Sequence, residues 1–279
     1  MGNYFCGWYY RCQSGKHTLA VIPSIHRAGV DKYCSIQLIT DTDAYSLRLP
    51  IGEYQKDGVC IRMGTNFFTP TGIRLDIETE TWSANGNIRF GPFTPLRRDI
   101  MGPFQFVPFM QCRHSIYSLR HRVDGVMVIN GSTYSFHEGL GYMEGDRGRS
   151  FPKSYLWTQC SFPRGAVMLS VADIPIGKIS FTGVIAVVYL DGKEYRLATY
   201  LGAKAVKISP EEIVIRQGHA TLTVLPKNMG GQNLFAPEQG RMGRFIREQL
   251  SCEIRFRFEK DGTILLDLDA ANAALEYEY

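Results

Sequence analysis

Glu144, Asp146, Arg147 and Arg149 set two carboxyl groups against two guanidinium groups, with Gly141, Gly145 and Gly148 spaced among them. The chain then runs through Phe151-Pro152 into Tyr155-Leu156-Trp157, so charge lies beside a large aromatic surface. Glycines at this density predict a sharply turning backbone. One reading is a solvated turn whose charges pair with one another; the other is a polar constellation at the mouth of an apolar cavity. Two residues apart on an extended segment, Glu144 and Asp146 point to one side and can share a proton. Glu144 follows Tyr142-Met143 and is expected to be the more buried acid, while Asp146, flanked by Arg147, stays ionised and orients the arginine.

The remaining chemistry-bearing residues fit few familiar patterns. Ser150 lacks the glycine two residues later that a nucleophile elbow needs, and Gly139, Gly141 and Gly145 have the wrong spacing for a dinucleotide loop. His114 and His121, seven apart on a strand, face opposite sides, so no metal and no cofactor are expected. Arg113-His114 and Asp99 are polar groups beside the Phe104-to-Met110 aromatic stretch. Core or surface pairing is the simpler role for them.

The elements that must position these groups are strands. Tyr33 to Ile39, Ile73 to Ile77 and Gly183 to Tyr189 are short apolar runs with a period of two. Tight turns are expected at Asp57-Gly58, Asn85-Gly86, Asp124-Gly125, Asn130-Gly131, Asp191-Gly192 and Asp261-Gly262. Met242 to Leu250 has the best helical period and predicts one short helix.

An internal duplication organises the whole. Trp8 to Cys12 aligns with Trp157 to Cys160 after one gap, and Gly64, Pro70 and Ile73 recur as Gly202, Pro210 and Ile213. Met101-Gly102 before Cys112 recurs as Met242-Gly243 before Cys252. Two similar all-β domains follow, 1–148 and 149–279. With about eight strands each, they are expected to close into antiparallel barrels and so hide their edges.

Composition narrows the function. A formal charge of +4 over 279 residues, without a basic run, excludes nucleic acid as the expected partner. No secretory signal or integral membrane segment is read, and seven widely spaced cysteines fit reduced thiols in the cytoplasm.

Gly141 to Cys160, with Asp99 to Phe104, Phe5 to Tyr10 and the closing Leu275 to Tyr279, resembles the bacterial branch of the tocopherol cyclase family. The plant members read Glu-Lys-Asn-Trp-Gly where this chain has Glu144-Gly145-Asp146-Arg147-Gly148, so Glu144 and Gly148 match. The resemblance implies tandem lipocalin-like β-barrels, with Trp8 resembling the indole that plugs a lipocalin barrel. It also implies a lipophilic isoprenoid or prenylated aromatic ligand, with peripheral membrane contact for its exchange. The implied reaction, of the isomerase or hydratase class, protonates an alkene and lets a phenol oxygen or water capture the tertiary cation. That chemistry needs an acid, Glu144 before Asp146, and an aromatic lining, here Trp8, Phe104, Tyr142, Tyr155 and Trp157 with His114 beside them. A non-enzymatic carrier of the same ligand is the alternative.

Overall fold

The computed structural model describes residues 2–107, 110–176, 179–228 and 230–279. Sheet A contains β1 (Tyr4–Ser14), β2 (His17–Ala28), β3 (Asp31–Thr40), β4 (Ala44–Pro50), β5 (Tyr54–Asp57), β6 (Cys60–Met63), β7 (Asn66–Thr69), β8 (Gly72–Glu78), β9 (Ser83–Phe90), β10 (Cys112–Ile129) and β11 (Ser132–Gly148). Sheet B contains β12 (Tyr155–Phe162), β13 (Gly165–Ile176), β14 (Ile179–Leu190), β15 (Lys193–Ala198), β16 (Lys204–Ile208), β17 (Ile213–Gln217), β18 (Ala220–Pro226), β19 (Gln232–Glu238), β20 (Arg241–Lys260) and β21 (Thr263–Tyr277).

Both sheets follow one plan. In sheet A the order is β4-β3-β2-β1-β11-β10-β9-β8-β7-β6-β5, and in sheet B it is β15-β14-β13-β12-β21-β20-β18-β17-β16. In each, the last strand returns beside the first, and sheet A curls into a nearly closed barrel. The chain is thus all-β, two lipocalin-like antiparallel barrels from an internal duplication, with eleven and ten strands rather than about eight. In sheet B, β19 leaves the main path and pairs with β20 alone.

Strand register corrects the sequence alignment of the halves. Tyr9 pairs with Glu144 across β1 and β11, as Trp157 pairs with Glu276 across β12 and β21. Tyr9, not Trp8, is therefore the counterpart of Trp157. Trp8 points into the core of barrel A, whereas Trp157 belongs to the cluster between the sheets. Cys252 pairs with Ala273, three residues before Glu276, and the residue so placed before Glu144 is His121, opposite Gly141. Cys112 is accordingly not its counterpart.

The expected helix is strand. Ile246, Glu248, Leu250, Cys252, Ile254, Phe256 and Phe258 of β20 are buried in strict alternation. A buried glutamate in the inward phase disguised a period of two as a helical one. Turns form at Gly58, Asn130-Gly131, Asp191-Gly192 and Asp261-Gly262. Gly86 and Gly125 instead lie inside β9 and β10. A Cβ on either would come within 2.2 Å of a neighbouring strand's carbonyl oxygen, so close approach explains them.

Each barrel has its own apolar interior, and a third cluster joins them through Tyr9, Ile39, Tyr142, Trp157, Met168 and Ile246. Strands β1 and β12 are consequently buried on both faces. All seven cysteines are free. No helix among the described residues is long and apolar enough to cross a membrane.

Candidate functional site

A cavity of about 170 Å³ opens between the two sheets, walled by Phe104, Phe151, Phe181, Leu234 and Ile246. Its polar wall carries His114, Glu144, Asp146 and Glu276. The duplication builds this wall. Glu144 and Glu276 occupy matching places on the last strand of each barrel, and their cross-strand partners reach over to the opposite barrel. Trp157 Nε1 donates to Glu144 Oε2 at 3.1 Å, and the Tyr9 hydroxyl donates to Glu248 Oε1 at 2.5 Å.

Glu144 is 5% exposed. Its Oε2 also accepts from the Tyr142 hydroxyl at 2.5 Å and stands 3.2 Å from His114 Nε2, an ion-pair contact out of line for a hydrogen bond. His114 Nδ1 lies 3.1 Å from Asp146 Oδ1, which the Cys112 thiol approaches at 3.4 Å. Burial works to lower the His114 pKa, but the charges of Glu144 and Asp146 outweigh it and hold the imidazole protonated, well above its ordinary value.

Glu144 and Asp146 do share one side of a strand, bridged by the His114 ring. The arginines do not take part. Arg147 and Arg149 are exposed, and Asp146 orients His114 rather than Arg147. Nor does the backbone turn here, because Gly141 and Gly145 lie within β11 and Gly148 ends it. A Cβ at Gly145 would sit 2.9 Å from both Gly7 O and the Tyr117 ring, and one at Gly141 would sit 2.3 Å from His121 Nε2. The glycines serve close packing of β11 against its neighbours.

Of the other residues singled out in the sequence, Trp8, Phe104, Tyr155 and Trp157 border the cavity, whereas Tyr142 stands behind Glu144. Trp8 is mainly a core residue of barrel A, with Lys56 Nζ 5.5 Å from its ring. Met110 borders the cavity, while Pro108 and Phe109 lie outside the described residues. Asp99 caps a turn through Met101 N at 2.7 Å, away from the polar wall.

Sequence reasoning missed Glu248 and Glu276. They face one another across β20 and β21, 0% and 9% exposed. The Tyr155 hydroxyl lies 2.5 Å from Glu276 Oε2, and Glu248 Oε2 is buried without a hydrogen-bond partner among the described residues. Burial, opposed by the Tyr9 hydroxyl and Arg11, raises Glu248 to about 7. Burial and the neighbouring Glu248 raise Glu276 well above the carboxylate range. Burial and the adjacent carboxylates likewise raise Tyr9, Tyr142 and Tyr155, so these phenols stay protonated. The signal that could have found Glu248 is the alternation of β20 itself, continued through the glutamate.

His114, Glu144 and Asp146 offer donor atoms within 4.8 Å of one another, a grouping that the His114-to-His121 spacing did not anticipate. Both ring nitrogens of His114 face carboxylates, so the cluster is arranged as a shared cation more than as a set of open ligands. Elsewhere on the wall, Ser24 Oγ lies 2.8 Å from His26 Nε2, and burial, then Arg48, lowers His26 to about 4.

No protein-family model and no curated protein matches the sequence. Among solved structures, an AttH-type protein from Nitrosomonas europaea matches with a TM-score of 0.56 and 12% identity, over 100% of this chain and 93% of that one. CghA with Sch210972 matches at 0.60 and 10%, over 99% and 88%. Kievitone hydratase from Nectria haematococca matches at 0.54 and 10%, over 99% and 89%. At such identities the likeness is one of fold, and it runs through both barrels.

Proposed function

We propose that the chain is a tocopherol cyclase-like protein that holds an isoprenoid or prenylated aromatic ligand in the cavity between its barrels and protonates an alkene of that ligand. Cyclisation follows if a phenol oxygen captures the cation, and hydration if water does. Residues 1–148 and 149–279 are the two domains, and the cytoplasm, where seven unpaired thiols persist, is the compartment. A peripheral membrane contact would serve ligand exchange.

One observation carries the reading: buried acids and an imidazolium line one wall of a mostly apolar cavity, faced by the rings of Phe104, Tyr155 and Trp157. Aromatic faces stabilise a carbocation, and the apolar walls keep water from trapping it early. The fold it shares with a hydratase and with a ligand-bearing CghA supports a cavity of this kind. Glu144, backed by Asp146 through His114, is the principal acid–base residue.

The test is Glu144→Gln assayed with a prenylated hydroquinone. Loss of turnover with binding retained within a few-fold supports the reading, since the amide keeps the shape and loses the ionisable proton. Turnover at the unmodified rate would remove Glu144 from the chemistry. The second reading, a carrier, is favoured by the saturation of Glu144 Oε2, which already has Tyr142, Trp157 and His114 around it. A carrier binds the hydroquinone and returns it unchanged.

A further inference from the structure

Four carboxyl groups, Glu144, Asp146, Glu248 and Glu276, meet at the barrel interface, and the buried cations facing them are His114 and Arg11. His114 is committed to Glu144 and Asp146. Arg11 turns its Nη2 to the carbonyl oxygens of Leu250 and Asn272, at 3.0 and 2.7 Å, and bonds Gln13 through Nη1. Glu248 and Glu276 are left with tyrosine hydroxyls alone, directly opposite one another on adjacent strands. Two negative charges so placed repel one another, and the Arg11 guanidinium, turned to backbone carbonyl oxygens, offsets this only in part. Among the described residues Glu248 Oε2 has no hydrogen-bond partner, an arrangement far less costly for a neutral carboxyl than for a carboxylate.

We propose that Glu248 and Glu276 retain a shared proton at neutral pH, and that Glu276, which borders the cavity, is the group that delivers it to the ligand. The delivery rests on the functional reading above and divides its labour. Glu276 gives up its O–H, the alkene π pair forms the new C–H bond, and a tertiary cation remains. The phenol or water oxygen forms the C–O bond to that cation, and its O–H proton passes to Glu144. The proton taken up by Glu144 is then released and one is returned to Glu276, which restores both carboxyl groups and closes the cycle with no oxidant or reductant. Glu276 is the catalytic residue of the pair. Glu248, which does not border the cavity, is a positioning residue acting through charge. The titratable groups packed around the pair are Tyr9, Arg11, Glu144, Asp146 and Tyr155.

Infrared spectroscopy of the ligand-free protein with ¹³C-labelled glutamate tests the proton. A carboxylic-acid C=O band is expected near neutral pH, kept in Glu144→Gln, lost or strongly reduced in Glu276→Gln, and titrating away at lower pH in Glu248→Gln than in the unmodified protein. No such band in the unmodified protein, or a band indifferent to both substitutions, overturns the proposal. Delivery is tested with the prenylated hydroquinone. Glu276→Gln should lose turnover and keep binding, and Glu248→Gln should move the alkaline fall of the pH profile to lower pH, because one source of repulsion is gone. Normal turnover in Glu276→Gln, or an unmoved profile in Glu248→Gln, overturns delivery. No turnover by the unmodified protein overturns delivery together with the functional reading, whereas the infrared band decides the shared proton by itself.

Discussion

Replacing Glu248 by Gln should stabilise the protein at alkaline pH, the reverse of what removing a buried polar contact usually does. Folding raises Glu248 from 4.5 to about 7 through burial. Below the lower value both folded and unfolded chains hold the proton, and the full stability is present. Between the two values the unfolded chain releases its proton and the folded chain does not, so stability falls as pH rises through the folded pKa and then levels off. The shift is worth about 3 kcal/mol, titrating as one unit with Glu276. Glutamine mimics the neutral acid and does not titrate, so Glu248→Gln should match the unmodified protein near pH ~4 and exceed it by up to about 3 kcal/mol near pH ~8. In a protein of this size that is roughly 5–10 °C in Tm. Paired thermal melts across this range provide the assay. A variant less stable than the unmodified protein at the alkaline end, with an unchanged slope between the two pH values, would refute the reasoning.

Other expectations concern the same wall and its supports. Trp157→Phe keeps an aromatic face but shrinks the buried ring and deletes the Nε1 bond to Glu144, which should cost about 1–3 kcal/mol by urea unfolding. Gly145→Ala pushes a methyl to 2.9 Å from Gly7 O and the Tyr117 ring, and should cost a similar ~1–3 kcal/mol while weakening ligand binding. Burial lowers His26 to about 4 and His121 to about 3. Both are neutral in the fold, so their contribution is intact above the ordinary histidine value and lost as pH falls below it; His26→Asn should flatten the acid limb of a stability–pH curve.

The architecture was legible in the sequence because strand alternation and a repeated plan survive even where single matches mislead. The Gly64 and Gly202 matches led to equivalent hairpins, β7–β8 and β16–β17. The Trp8 and Trp157 match failed because a one-residue gap on a strand reverses the face. The burial of Glu144 was legible because two of its hydrogen-bond donors, Tyr142 and Trp157, lie close to it in sequence. Its partner His114 lies 30 residues away, brought opposite Asp146 by the β10–β11 hairpin. Glu248 and Glu276 were hidden for another reason: a carboxylate inside an apolar alternation breaks the pattern used to find strands. The helix expected from Met242 to Leu250 was that broken pattern.

Proton transfer to a ligand alkene inside the cavity is the step on which the proposed function turns. Incubating the protein with a prenylated hydroquinone in D₂O and examining the product by mass spectrometry and NMR tests it. A cyclised or hydrated product carrying one deuterium on the former alkene carbon is expected, absent when Glu276→Gln replaces the unmodified chain. Recovery of a bound but unlabelled and unchanged hydroquinone would contradict it and leave a carrier.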